Sequence, residues 1–274
     1  MLKKTLRNKI LVYRKNNYKI VSLKYNLLKN ILKKFNFLNN KNIGVSSANN
    51  QGINLALNDN CDFILLINND TIFEDKLISK LIDAHIKYGS SIVVPKIKYY
   101  LKSNVIWFAG GFYNKTKACL NYHRGQDEID CGQYNFDDIV EYAPTCCAFI
   151  HKTVFEDVGL MDEKFFVYFD DADFFYRVLR FNRHHIRYIY DIHFLHKIGS
   201  LTKSRVEKTN IYSDFFIIQN CKNHVYFLRK QKAFLAYINL IYLWFYLTLR
   251  FFISNRFEKK WRVFMLIQTS YFNG

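Results

Sequence analysis

The amino-acid sequence predicts an α/β fold, and three neighbouring features carry that expectation. Cys61 to Ile67 (CDFILLI) is a continuous apolar run of strand length, the pattern of a strand buried on both faces of a sheet. It stops abruptly at Asn68-Asn69-Asp70. Leu77, Ile78, Leu81, Ile82 and Ile86 then recur at the spacing of an amphipathic helix, and Ser91 to Val94 supplies a second buried strand. Strand, polar turn, helix and strand make a βαβ unit. Polar residues at the carboxyl end of such a strand lie where open α/β sheets bind ligands.

Ahead of that unit, residues 8–38 read as a basic strand or helix pair, with Ile20, Val21 and Leu23 and then Leu27, Leu28, Ile31, Leu32 and Phe35 at helical spacing. A polar, glycine-bearing stretch from Asn42 to Gly52 leads into a short helix through Leu57. Beyond the βαβ unit, Val105 to Ala109, Cys146 to Ile150 and Ile186 to Tyr190 are strand-like. Asp170 to Phe181 is helical, with Phe174, Phe175, Val178 and Leu179 on one face and Asp171 near it at the amino end. From Ile211 the character changes. Residues 211–229 form an aromatic-rich helix, and residues 233–253 are nearly uncharged, at a length that approaches a membrane span. Asn239, Thr248 and the Tyr and Trp residues among them fit an interfacial or shallowly inserted helix at least as well. No internal repeat is visible.

Composition narrows the class. The 274 residues are half apolar and 18% aromatic, with two Pro and ten Gly, which excludes collagen, Pro-rich linkers, a disordered tail and a disulfide mini-protein. The net charge of +17 is unevenly placed: residues 1–42 hold twelve Lys or Arg and no acid, and residues 222–274 hold nine against Glu258 alone. A mildly acidic middle sits between two basic ends. Such ends fit an anionic membrane surface, a nucleic acid or a solvated Lys-rich face. The first segment lacks a recognisable reader motif, so no nucleic-acid partner is expected. Six cysteines without C-x-x-C or Cys/His spacing point to neither zinc nor a redox pair, and a reducing cytosolic compartment is the simplest context. Only four apolar residues, Ile10 to Tyr13, precede the next charges near the start, which is short of a signal-peptide core.

Three constellations could carry chemistry. Asn68-Asn69-Asp70 places a carboxylate at a strand end, suited to a hard divalent cation that neutralises a diphosphate; the plainer reading is that Asp70 or Thr71 caps the following helix. Tyr168 to Arg177 (YFDDADFFYR) packs Asp170, Asp171 and Asp173 into a helix start, where the macrodipole favours them and Asp173 pairs with Arg177 at i,i+4. That reading accounts for Asp173. It leaves Asp170 and Asp171 between Phe169 and Phe174, a setting that raises a carboxylate pKa as a general base in a cleft requires. His193-Phe-Leu-His196 before Gly199-Ser200 is the third, a pattern more often structural than ligating.

Taken in order, these segments resemble glycosyltransferase family 2, the inverting GT-A enzymes, and especially the rhamnosyltransferase-like branch of cell-surface polysaccharide assembly. The resemblance runs from about Asn42 to Ser200, with a weaker echo through the C-terminal helices. It rests on Asn42-x-Gly44, Asn49-Asn50-Gln51-Gly52-Ile53, Leu65 to Thr71, Gly110-Gly111, Val158 to Phe166, Asp170-Asp171-x-Asp173-x-x-x-Arg177 and His196-x-x-Gly199-Ser200.

The resemblance implies a Rossmann-like GT-A mixed sheet flanked by helices, with aromatic-rich helices at the C-terminus. Asp70 is similar to the last acid of the family's Asp-x-Asp metal motif and His196 to its further metal ligand, for Mg²⁺ or Mn²⁺; Asp171 is similar to the catalytic base. Donor-binding positions would be Asn42, Gly44, Asn50, Asn68 and Asn69, with Asp170, Asp173 and Arg177 supporting the acceptor or the structure. The implied partners are a nucleotide-diphosphate sugar, a glycan or lipid-linked acceptor and an anionic membrane surface, with the protein peripheral on the cytoplasmic face of the cell membrane. Two departures stand out. The motif's first acid is Asn68 here, and before Asn42 the chain shows neither the Thr-Tyr-Asn-like turn nor the Asp-ended second strand of the family. The expected organisation is a basic segment 1–42 that is a remnant of the nucleotide-binding half, a GT-A core 43–204 and a helical, membrane-associating region 205–274. The competing expectation is an N-truncated, catalytically impaired GT-A domain acting as a membrane-associated interaction protein.

Overall fold

A computed structural model describes residues 9–14, 19–22, 39, 41–197, 211–258 and 260–274. The chain divides into two compact units. The first comprises Met1–Phe112, His123–Lys164 and Asp170–Ile198; the second comprises Tyr113–Tyr122, Phe165–Phe169 and Gly199–Gly274. Two short mid-chain segments thus belong with the C-terminal helices.

The first unit is built on a seven-stranded mixed sheet. An interior strand of it is β3 (Phe63–Ile67), buried along its whole length as its unbroken apolar run requires. On one side it pairs parallel with β1 (Lys9–Arg14), which turns back antiparallel into the edge strand β2 (Lys19–Ser22). Helix α1 (Val45–Asn58) packs on both β1 and β3. The helical reading of Leu27 to Phe35 lies outside the described residues.

On its other side β3 pairs antiparallel with β11 (Cys147–His151), and Phe63 stacks on Phe149 across that seam at 4.6 Å. Then come β5 (Ile92–Pro95), β12 (Ile186–Ile189) and the edge strand β10 (Asp138–Val140). Helix α2 (Leu77–Tyr88) therefore joins two strands that run the same way but are separated by β11, which reverses direction between them. Leu77, Leu81 and Ile82 of α2 are buried as the spacing predicts, whereas Ile86 is exposed. Gly89 takes the left-handed conformation that ends this helix.

A second sheet, which the sequence did not announce, orders β4 (Thr71–Phe73), β13 (Phe194–His196), β6 (Ile97–Tyr99) and β7 (Ile106–Phe108). Its first strand leaves the Asn68–Asp70 turn directly, and its register sets His196 opposite Thr71. Short strands β8 (Gly111–Asn114) and β9 (Leu120–His123) form a two-stranded ribbon. Helices α3 (Lys152–Val158) and α4 (Asp170–Phe181) pack on each other; α4 buries Phe174, Phe175 and Val178, with Leu179 at the margin of that face.

In the second unit α5 (Asp214–Lys230), α6 (Phe234–Ile253) and α7 (Trp261–Phe272) pack side by side. Ser213 caps α5 by accepting from the Phe216 amide. Only Ala236, Asn239, Leu243, Leu247 and Phe251 of α6 are buried, a stripe at i,i+3/i+4 spacing.

Candidate active site

Asp70 ends the polar turn between β3 and β4. The turn is closed by Thr71, whose hydroxyl donates to the Asn68 carbonyl at 2.6 Å, and by the Asn68 amide, which donates to the Cys146 carbonyl at 3.0 Å. Helix α2 starts only at Leu77, after Lys76, so neither Asp70 nor Thr71 caps it. Instead the Lys197 amide donates to the Asp70 carbonyl at 2.8 Å, and His196 Nε2 lies 3.3 Å from Asp70 Oδ1, with both side chains about nine-tenths buried. The face of His196 is fixed by Trp107, edge-on at 4.8 Å, and its Nδ1 is buried without a hydrogen-bond partner among the described residues. Gly199 and Ser200 lie outside the described residues, and the neighbouring His193 is exposed.

Asp171 occupies the first turn of α4. Tyr142 Oη donates to Asp171 Oδ2 at 2.7 Å, and the Ala172 amide donates to Oδ1 at 2.8 Å. Desolvation raises the carboxyl pKa above the ordinary carboxylate range, with these hydrogen bonds pulling the other way. The buried Cys146 thiol lies within electrostatic reach of both Asp70 and Asp171. Burial drives its pKa well up, and the nearby Cys147, Asp70 and Asp171 push it further. The gap between the two acids is bridged by packed rings: Trp107 touches both His196 and His123, and His123 stacks on Tyr142 at 5.6 Å. Burial lowers the His123 pKa to about 4, so this ring is a neutral spacer.

Several other candidates make hydrogen bonds within the fold. Asp173 accepts from Arg177 Nε at 2.9 Å, and the same guanidinium donates to the carbonyls of Val158 and Leu160. Asn50 clamps the same segment from the other side: its amide nitrogen donates to the Met161 carbonyl and Glu163 Oε1, and its oxygen accepts from the Met161 amide. Buried and bonded in this way, the Asn50 amide braces Met161 and Glu163. Asn42 accepts from the Gly44 amide at 3.1 Å and shapes the turn into α1, where Gly44 takes φ of 87°. Asn69 is exposed at the tip of its turn, Asn68 half-buried, and Asp170 buried at the start of α4.

Tyr142 escaped sequence reasoning, although a signal existed. Gly111, in the Gly110-Gly111 pair, has no room for a side chain because a Cβ there would lie 2.6 Å from the Tyr142 carbonyl. The pair marks the close approach that seats Tyr142.

Residues 25–159 match the model of a protein family described as glycosyl transferase family 2. That match covers just under half of the chain, which is similar to glycosyl transferase family 2 over this segment. The matched segment contains Asp70 and Tyr142, while Asp171 and His196 lie beyond it. No curated protein matches the chain. Among solved structures, GalNAc-T7 with UDP, GalNAc and Mn²⁺ is similar at a TM-score of 0.53 and 11% identity, covering 85% of this chain and 42% of that one. S. aureus TarS 1-349 gives a TM-score of 0.49 at 12% identity over 85% of this chain and 60% of that one, and A197 from STIV gives 0.37 at 17% over 58% and 69%. The chain thus spans less than half of the GalNAc-T7 chain. The mixed sheet flanked by helices is the GT-A glycosyltransferase fold.

For a divalent cation, the candidate ligands are Asp70, inside the matched segment, and His196, beyond it. Among the described residues no cluster of three or more His, Cys, Asp and Glu is placed to hold a metal. A carboxylate and an imidazole 3.3 Å apart suit Mg²⁺ or Mn²⁺ whose other positions are filled by water and diphosphate oxygens, the usual arrangement where such an ion serves a phosphorylated substrate. The residues present fit the group on that basis.

Proposed function

We propose that this protein is an inverting, metal-dependent glycosyltransferase that moves a sugar, of rhamnose type by the sequence resemblance, from a nucleotide diphosphate onto an acceptor hydroxyl. The observation that carries the reading is the 3.3 Å Asp70–His196 pair, linked through the rings of Trp107 and His123 to Tyr142, which holds Asp171. In this reading the acceptor oxygen attacks the anomeric carbon as the bond to the diphosphate breaks, and the hydroxyl proton passes to Asp171. A single displacement inverts that carbon.

Tyr142 holds the Asp171 carboxylate in one orientation, and the roughly four lone-pair sites of a carboxylate leave acceptor capacity beyond the hydrogen bonds it makes. A raised pKa makes Asp171 a stronger base than a solvated aspartate. Asp70 and His196 would hold the cation, which when bound supplies positive charge for the departing diphosphate. The acceptor is a glycan or lipid-linked precursor at the cytoplasmic face of the cell membrane, a reading supported by the exposed apolar surface of α6. The test is nucleoside diphosphate release from a panel of nucleotide sugars with Mn²⁺. The reading predicts acceptor-dependent release that Asp171→Asn abolishes, and full turnover by that variant would overturn it.

A further inference from the structure

Helix α6 turns the wrong side outward for a helix in water. Its buried stripe, Ala236 to Phe251, faces α5 and α7, and Asn239 is anchored there, donating to the Lys115 carbonyl and accepting from the Ala118 amide. At about 100° per residue, the opposite side carries Phe234, Tyr237, Ile238, Ile241, Tyr242, Phe245, Leu249 and Phe252. All eight are exposed, and no charge interrupts them. Phe252 continues through Phe264 to Trp261 of α7, rings 5.9 and 5.1 Å apart, and Trp261 is 73% exposed. Single exposed apolar residues are ordinary on a soluble protein, but a contiguous row along a 20-residue helix marks a partner.

We infer that the outward face of α6, with Trp261 of α7, lies in the plane of an anionic lipid bilayer at the boundary of headgroups and acyl chains. The inference deepens the reading of a membrane-linked acceptor by naming the surface and its orientation. Charge selects the bilayer over a second copy of the chain: residues 211–274 contain nine Lys or Arg against Asp214 and Glu258, so two such faces would repel while anionic lipid attracts them. Exposed Lys232 stands just before α6, and exposed Arg256 and Lys260 follow it. By length and composition α6 could instead cross a membrane. Its packing argues against that, because it lies beside α5, which exposes Lys222 and Arg229, and it could not enter hydrocarbon without drawing those cations in or abandoning the Asn239 anchor. Tyr and Trp at its margins are the side chains that favour the interfacial layer.

The test is flotation of the full chain with phosphatidylcholine vesicles, with and without phosphatidylglycerol, at low and high salt. Binding is expected only to the anionic vesicles, weakened by salt, released by alkaline carbonate and accompanied by a blue shift of tryptophan emission. The triple variant Ile241→Glu, Phe245→Glu, Leu249→Glu, which changes only exposed positions, should lose flotation while keeping its helical circular dichroism. Resistance to carbonate would overturn the in-plane placement in favour of a span. A wild-type chain that stays with the soluble fraction at low salt, including as a dimer that the triple variant dissociates, would overturn the lipid assignment. None of these readouts uses sugar transfer, so they stand or fall apart from the catalytic reading.

Discussion

Tyr142 and Asp171, 29 positions apart in sequence, are joined by a 2.7 Å hydrogen bond from the phenol to carboxylate Oδ2. The phenol opposes the desolvation that raises the Asp171 pKa, because a donor to the charged form favours that form. Tyr142→Phe should therefore raise this pKa further. The acid limb of kcat/KM against pH is expected to move upward in the variant, with the fold intact. An acid limb unchanged from wild type would show that the phenol does not act on the base.

Asp171→Asn separates catalysis from stability. Loss of the general base should reduce transfer by about 10² to 10⁴. The sign for stability is opposite. A folded-state pKa above the unfolded value means that the protonated carboxyl contributes stability fully below the unfolded pKa, and that this is lost as pH rises through the folded value. At neutral pH the wild type therefore bears the cost of a buried charge that asparagine lacks. Thermal unfolding should show the variant gaining on wild type as pH rises from acid to neutral; a gap that narrows over that range would contradict the assignment.

How much of this was legible in the sequence depended on how local the signal was. Strand β3 and helix α4 stood out because a five-residue buried run and an amphipathic turn-and-a-half repeat are written in consecutive residues. Strands β4, β6 and β10 span three residues each, too few for any periodicity. Nothing local could reveal that β11 inserts between β3 and β5, since strand order is decided by packing across the whole sheet. At the site, the resemblance picked out Asp70, His196 and Asp171. It also weighted Asn50 and Arg177, whose hydrogen bonds grip Val158 to Glu163 from two sides. A residue that braces the fold and one that touches substrate leave the same trace in a motif.

The cation requirement tests the Asp70–His196 pair. Chelator should abolish transfer, with Mn²⁺ or Mg²⁺ restoring it. His196→Ala should raise the Mn²⁺ concentration for half-maximal rate by more than about tenfold, the loss that removing even an outer-shell partner produces. Wild-type turnover undiminished by chelator would refute metal dependence without touching the role of Asp171.

Arg177 should matter for stability. Its removal strips Asp173, whose side chain is only 3% exposed, of its cation and leaves the Val158 and Leu160 carbonyls without their donor. Arg177→Ala is expected to destabilise by about 3 to 5 kcal/mol, the range for breaking one side of a buried pair. Chemical denaturation measures this, and a cost within the scatter of surface substitutions would show that the clamp carries no weight.

The final prediction concerns the backbone just ahead of Asp170. Tyr168 and Phe169 both take left-handed φ, 65° and 64°, a conformation that costs a bulky residue on the order of 1 to 3 kcal/mol and persists only where surrounding contacts enforce it. The enforcing contacts come from α5. Asn223 Nδ2 donates to the carbonyls of Val167 and Tyr168 at 2.8 and 3.0 Å, and His224, which burial holds neutral with a pKa near 4, stacks on Phe169 at 4.6 Å. Asn223→Ala removes two hydrogen bonds worth about 0.5 to 1.5 kcal/mol each and frees the turn to relax. Stability should fall by about 1 to 3 kcal/mol, two such bonds together. Chemical denaturation measures this, and a cost within the scatter of surface substitutions would show that Asn223 does not hold the strained turn.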